Sequence, residues 1–134
     1  MKTKIIFATD DNPFYCQFKE PVSQAWRNLG FDPVCVTVTK SECFADPTLV
    51  PVGNQAQIVR VLYPALYPTE KFIVADIDML PLNGDYFKKI SEEITNGTTI
   101  LNASADAYPP LQEKFPMCYY AGYGEVFSEI TGIK

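Results

Sequence analysis

Apolar residues in this chain follow two alternating rhythms. Short continuous runs (Ile5-Ile6-Phe7-Ala8, Val34 to Val38 and Phe72 to Ala75) have the look of strands buried on both faces. Thr99 to Ala103 reads as a fourth strand. Between them, apolar positions recur every three or four residues. Phe18, Val22, Ala25, Trp26 and Leu29 make one helical face, with Pro21 near the first turn and Gly30 as the stop. Asn54 is placed to cap a helix running from Gln55 towards Leu66, which Pro64 kinks or ends and Pro68 closes. Tyr86 to Ile94 predicts a short helix with Phe87, Ile90 and Ile94 on one side and Asn96-Gly97 as its exit turn. Gly124 to Ile130 predicts another, with Val126, Phe127 and Ile130 apolar. Lys40 to Gly53 has two prolines and no period, so it reads as a long loop, and Ala107 to Pro116 as irregular.

Strands alternating with helices predict an α/β fold with a mainly parallel sheet flanked by helices. Ligands in such sheets bind beyond the carboxyl ends of the strands. Two polar clusters fall at that edge: Thr9-Asp10 after the first strand, and Asp76-Ile77-Asp78 after the third. Residues i and i+2 share a face of a strand, so a bend or an end here lets Asp76 and Asp78 converge. Two close carboxylates repel, and a hard divalent cation offsets that repulsion and can then hold the phosphates of a ligand.

Composition narrows the field. At 134 residues the chain is the size of one domain, and 47% apolar with 13% aromatic residues is enough for a core. A net charge of −5 without a basic stripe argues against nucleic acid as a partner. No apolar run approaches the ~20 residues of a membrane span. The opening Lys2-Thr3-Lys4 and its apolar run break too early at Asp10-Asp11 for a signal sequence, so a cytoplasmic location is the default expectation. Cys16, Cys35, Cys43 and Cys118 form no CxxC pair and read as buried free thiols. The absence of histidine excludes Ser-His-Asp and Cys-His catalysis.

The segment from Gln57 to Phe87 resembles the core of GT-A type glycosyltransferases, with the glycogenin-like nucleotide-sugar transferases especially similar. It has a helix with an arginine, a proline-marked end, an apolar strand and an Asp-x-Asp (DxD) motif. Phe7-Ala8-Thr9-Asp10-Asp11-Asn12 is similar to that family's first strand and nucleotide-contacting loop. The resemblance spans roughly residues 4–38 and 54–103. It implies a Rossmann-like fold and a metal-dependent transfer of a sugar from a nucleoside-diphosphate donor, a UDP-sugar, to an acceptor hydroxyl. By the resemblance, Asp76 and Asp78 would hold Mn²⁺ or Mg²⁺ and contact the donor together with Ile77 between them. Ala8, Thr9 and Asp10 would meet its base and ribose, and Arg60 its phosphates or sugar. Members usually add a further metal ligand, often histidine, which has no counterpart here, and their domain is usually longer. The expectation is a single domain over residues 1–134 that is an amino-terminal fragment of a longer catalytic domain, a minimal member or a degenerate one.

Plainer readings stand beside these. Asp76 and Asp78 also suit a solvated turn, Thr9 and Asp10 a cap, with Asp11 an alternative acid, and Arg60 a solvated helix face shared with Gln57. Tyr15 reads as core, with stacking on a base as the alternative. Tyr119, Tyr120 and Tyr123 suit either a sugar platform or simple packing, and Asp106 and Glu125 are nearby acids with no assigned role. Two rival functions follow: a non-catalytic nucleotide-binding or interaction domain, and a haloacid-dehalogenase-like phosphatase using Asp76 and Asp78. The latter's motif normally follows the first strand and is followed by small polar residues, unlike Met79-Leu80 here.

Overall fold

The computed structural model describes residues 1–95, 100–103 and 119–133. In chain order the elements are β1 (Lys4–Thr9), α1 (Pro13–Cys16), α2 (Lys19–Asn28), β2 (Asp32–Thr37), α3 (Val52–Ala65), β3 (Lys71–Val74), α4 (Gly84–Glu93), β4 (Leu101–Asn102), β5 (Tyr120–Tyr123) and α5 (Gly124–Thr131). Among the described residues the strands form one five-stranded sheet in the order β2-β1-β3-β5-β4. β1 lies parallel to both β2 and β3, whereas β5 runs antiparallel to β3 and to β4. The fold is therefore α/β with a mixed sheet, not a mainly parallel one. The difference comes from β5, which inserts between β3 and β4 against their direction.

Period-two alternation divides the core between two faces. Ile5, Phe7 and Ile73 pack with Val22 and Trp26 of α2 and with Phe87 and Ile90 of α4. Ile6, Phe72 and Val74 pack with Ala65 of α3 and Phe127 of α5 on the other face. Helices thus cover both sides, as the continuous apolar runs of β1 and β3 require. Trp26 is the centrepiece of the first layer, edge-on to Phe31 and Phe87 at 5.6 and 4.6 Å between ring centroids.

Local departures from expectation have physical causes. β2 starts at Asp32 and is half-buried because it is an edge strand, where Pro33 is tolerated. α3 starts at Val52 with Pro51 at its N-cap, so Asn54 lies inside the first turn and caps nothing. Pro64 sits at the penultimate position of α3, whose last turn it ends. α4 begins two residues early because the Asn83 side chain accepts from the Tyr86 amide. The fourth strand is only Leu101–Asn102 among the described residues. The Asn96-Gly97 turn, Asp106, Cys118 and the 107–116 segment lie outside them. Cys16, Cys35 and Cys43 are free and half-buried rather than fully buried. No helix among the described residues is long and apolar enough to cross a membrane.

Candidate functional site

The parallel register of β1 and β3 brings the two polar clusters together. Ile6 pairs with Val74, and the Ala75 amide donates to the Ile6 carbonyl at 2.9 Å. Two residues further along each chain stand Ala8 and Asp76. Loops leaving adjacent parallel strands at the same end must face one another. They enclose a cleft of about 530 Å³. Ala8, Thr9, Asp10, Arg60, Asp76, Ile77 and Asp78, the seven residues singled out from sequence, all line it.

Each is held by a local cause. Thr9 is buried, and its hydroxyl donates to the Asp10 carbonyl at 3.1 Å, which also accepts from the Cys16 thiol at 3.2 Å. The Asp10 carboxylate accepts from the Asn12 amide at 2.9 Å through Oδ1, while Oδ2 lies beside Gly53. Asn12 in turn caps α1 by accepting from the Phe14 amide at 3.0 Å. Asp10 is thus both the turn former and a cleft acid, whereas Asp11 is exposed and outside the cleft. After β3 ends at Val74, Ile77-Asp78 form a turn: Ile77 anchors in the core and Asp78 is exposed to solvent.

Arg60 does not lie on a solvated helix face. It is 3% exposed, and its guanidinium is spoken for on three sides. Nη1 donates to the Ala75 carbonyl at 3.0 Å and forms an ion pair with the Asp76 carboxylate. Nη2 donates to Gln57 Oε1 at 2.6 Å, and Nε to the Gln57 carbonyl at 3.3 Å. A buried guanidinium needs such a set of acceptors to offset its lost hydration. Arg60 therefore orients the first aspartate of the pair and reaches the cleft from behind it.

Sequence reasoning underrated one wall of the cleft and missed another. Tyr15 is not core: it is 38% exposed and lines the cleft. The first two turns of α3 contribute Gly53, Asn54, Ala56 and Gln57. Its opening amides carry no side-chain cap, and such an end attracts negative charge. A topological signal for it exists: a helix following a parallel strand starts at the carboxyl edge, so α3 must begin where ligands bind. Tyr119, Tyr120 and Tyr123 do not line the cleft. They pack on the two core layers, Tyr119 against Phe87 at 5.1 Å and Tyr123 beneath Lys71. Packing on the core layers accounts for the position of these three.

Asp10, Asp76 and Asp78 set against Arg60 leave the cleft with a formal charge of −2. A phosphate-bearing ligand enters such a field only with a cation. No group of three or more His, Cys, Asp or Glu side chains among the described residues is arranged to hold a metal ion. Carboxylate oxygens from Asp76 and Asp78 are nonetheless the hard donors that Mg²⁺ or Mn²⁺ takes. Such ions commonly rest on one or two carboxylates and complete the shell with phosphate oxygens and water. The donor set fits a cation brought in with a diphosphate, not one caged by protein alone. No family model, no curated protein and no solved structure matches the chain.

Proposed function

We propose that this domain binds a nucleoside-diphosphate sugar, a UDP-sugar, together with Mn²⁺ or Mg²⁺, and transfers the sugar to an acceptor hydroxyl. The carrying observation is that Thr9, Asp10, Arg60, Asp76 and Asp78 share one cleft at the carboxyl ends of two adjacent parallel strands. The resemblance of residues 57–87 to GT-A type glycosyltransferases supports the same reading, and with it a Rossmann-like, GT-A-like identity for the mixed sheet. Thr9 and Asp10, with Tyr15 beside them, are suited to base and ribose. The acidic pair is suited to the cation and diphosphate. In the transfer, the bond from the anomeric carbon to the diphosphate oxygen breaks, and its electron pair leaves on the nucleoside diphosphate. The acceptor oxygen bonds to the anomeric carbon, and its proton passes to the released diphosphate or to solvent. A bound cation supplies charge stabilisation to the departing diphosphate. The chain's own part is to orient Asp76 through Arg60 and to hold the nucleotide end through the β1 loop.

Thermal unfolding with UDP and Mn²⁺ tests the site, with Asp78→Ala as control. Saturating ligand at a hundredfold excess over Kd stabilises by about 2.7 kcal/mol, and the variant should show none of it. No stabilisation of the parent would sink the donor-binding reading. Binding without transfer or hydrolysis of any UDP-sugar would favour a non-catalytic nucleotide-binding domain. Phosphatase activity without nucleotide would favour the dehalogenase-like alternative.

A further inference from the structure

A second cavity, of about 340 Å³, adjoins the cleft on the α2 side of the sheet. Phe18, Pro21, Val22 and Leu80 supply its apolar lining, and Gln17 and Asp78 are its polar side chains. Among the described residues, Asp78 is the one the two cavities share. Leu80 stands 57% exposed at this cavity, and the neighbouring Phe14, whose ring lies 5.7 Å from that of Phe18, is 59% exposed. Apolar surface left in water beside a polar cleft marks a place where a ligand gains by burial.

We infer that this second cavity receives the acceptor of the proposed transfer, and that the acceptor is an alcohol or phenol with an apolar alkyl or aryl body. The inference rests on the donor reading of the first cleft and extends it to the other substrate. Two features of the lining select the class. A sugar or peptide carries polar groups all around and, once buried, needs a partner for each of them. Gln17 and Asp78, the polar side chains of its lining among the described residues, cannot supply that many. An apolar body with one hydroxyl needs a hydrophobic wall and a single polar end, which is what this cavity offers. The polar end is also the right one. Because Asp78 borders both spaces, a hydroxyl lodged against it lies next to the cleft proposed for the sugar donor, while the apolar body extends towards Phe18 and Leu80.

Calorimetric titration of the whole chain with 2-phenylethanol and with n-octanol, and separately with glucose and maltose, tests this. UDP with Mn²⁺ serves as an independent titration of the first cleft. Leu80→Asn and Leu80→Trp change the cavity wall at an exposed position, one by making it polar and the other by filling it. The expected result is saturable binding of the alcohols, weakened at least tenfold in both variants, with UDP affinity unchanged and no binding of the sugars. Alcohols that fail to bind, or bind equally to the variants, overturn the inference while intact UDP binding keeps the donor reading. Sugars that bind with the same sensitivity to Leu80 overturn the apolar class. Alcohol binding without UDP binding supports the cavity as a site for such alcohols and overturns the donor reading instead.

Discussion

Arg60 and Asp76 form an ion pair in which the cation is almost wholly buried and the carboxylate stays about one-third exposed at the cleft wall. The guanidinium also holds the Ala75 carbonyl and Gln57, so it ties α3 to the end of β3 just where the acidic pair begins. This asymmetry makes the two aspartates unequal.

Asp76→Asn leaves Arg60 buried without its anion. Breaking a fully buried pair costs about 3–5 kcal/mol, and the partial exposure of Asp76 lowers the expected loss to roughly 2 kcal/mol. Asp78→Asn, at an exposed turn, should stay within about 0.5 kcal/mol of the parent. Urea unfolding followed by the fluorescence of Trp26, the single tryptophan, reads both. Equal losses would show that Arg60 does not depend on Asp76. Both variants are expected to lose UDP binding.

Cation removal separates the two halves of the cleft's chemistry. With three aspartates against one arginine, UDP binding should vanish in EDTA and return with Mn²⁺ or Mg²⁺. Retention in EDTA would mean that the α3 amino terminus and Arg60 suffice for the diphosphate.

Gln55 is fully buried and organises the long loop before α3. Its Oε1 accepts from the amides of Phe44 and Ala45, each at 3.1 Å, and its Nε2 donates to the carbonyls of Ala45 and Val50 at 3.0 and 2.9 Å. All four bonding positions of the amide are filled. Gln55→Ala should cost about 2–3 kcal/mol, because four loop hydrogen bonds to a fully buried amide are lost at once. It should also open residues 40–51 to limited proteolysis, and an unchanged digestion pattern would count against this anchoring role.

Gly124 is required where α5 meets α3. A Cβ there would fall well inside van der Waals contact with the carbonyl oxygens of Pro64 and Tyr67. The same approach lets the Gly124 amide donate to the Glu70 carbonyl at 2.9 Å and the Glu125 amide to that of Pro68 at 3.0 Å. Since backbone cannot yield as a flexible side chain does, Gly124→Ala should cost about 3 kcal/mol and lower Tm by several degrees. A change in Tm below one degree would contradict the contact.

Burial pushes the Cys35 thiol up to about 11, against an ordinary value of 9.0. The folded state therefore holds this proton more tightly than the unfolded state does. Its contribution to stability is complete below pH 9 and is lost as pH rises from 9 to 11. Cys35→Ala should flatten that part of the stability profile relative to the parent. Alkylation of Cys35 by iodoacetamide should likewise begin to accelerate only well above pH 9, because the thiolate is the reactive form. Rapid alkylation at pH 8 would show the thiol to be unshielded.

Much of this architecture is legible in local pattern. The runs at Ile5-Phe7 and Phe72-Ala75 became the two central strands because residues apolar at every position can only be buried on both faces. The spacing of Val22, Trp26 and Leu29 set one face of α2 against that sheet. Once β1 and β3 are parallel neighbours, Thr9-Asp10 and Asp76-Asp78 have to meet at their shared carboxyl edge. The meeting of these two polar clusters is therefore readable from order and polarity alone, though the walls given by Tyr15 and the start of α3 are not.

What the sequence could not determine depends on partners far apart along the chain. That Tyr120–Tyr123 enters the sheet antiparallel next to β3 is decided by which edge of β3 is left to pair, and no local period records it. Arg60 looks like any helix-surface cation until Ala75 and Asp76 close over it from fifteen and sixteen residues away. Tyr15 reads as core from sequence yet faces the cleft, and nothing local marks Gln55 as buried, for the same reason: burial is a property of neighbours, and theirs are set by the cleft and by the loop before α3. Sequence alone determined the three parallel strands, the longer helices and the edge at which the acidic pair emerges, because those follow from short-range periodicity. Tertiary structure decided which charges are buried, which aromatic faces the cleft and how Asp78 comes to border two cavities, because each requires surfaces that exist only after the chain has closed on itself.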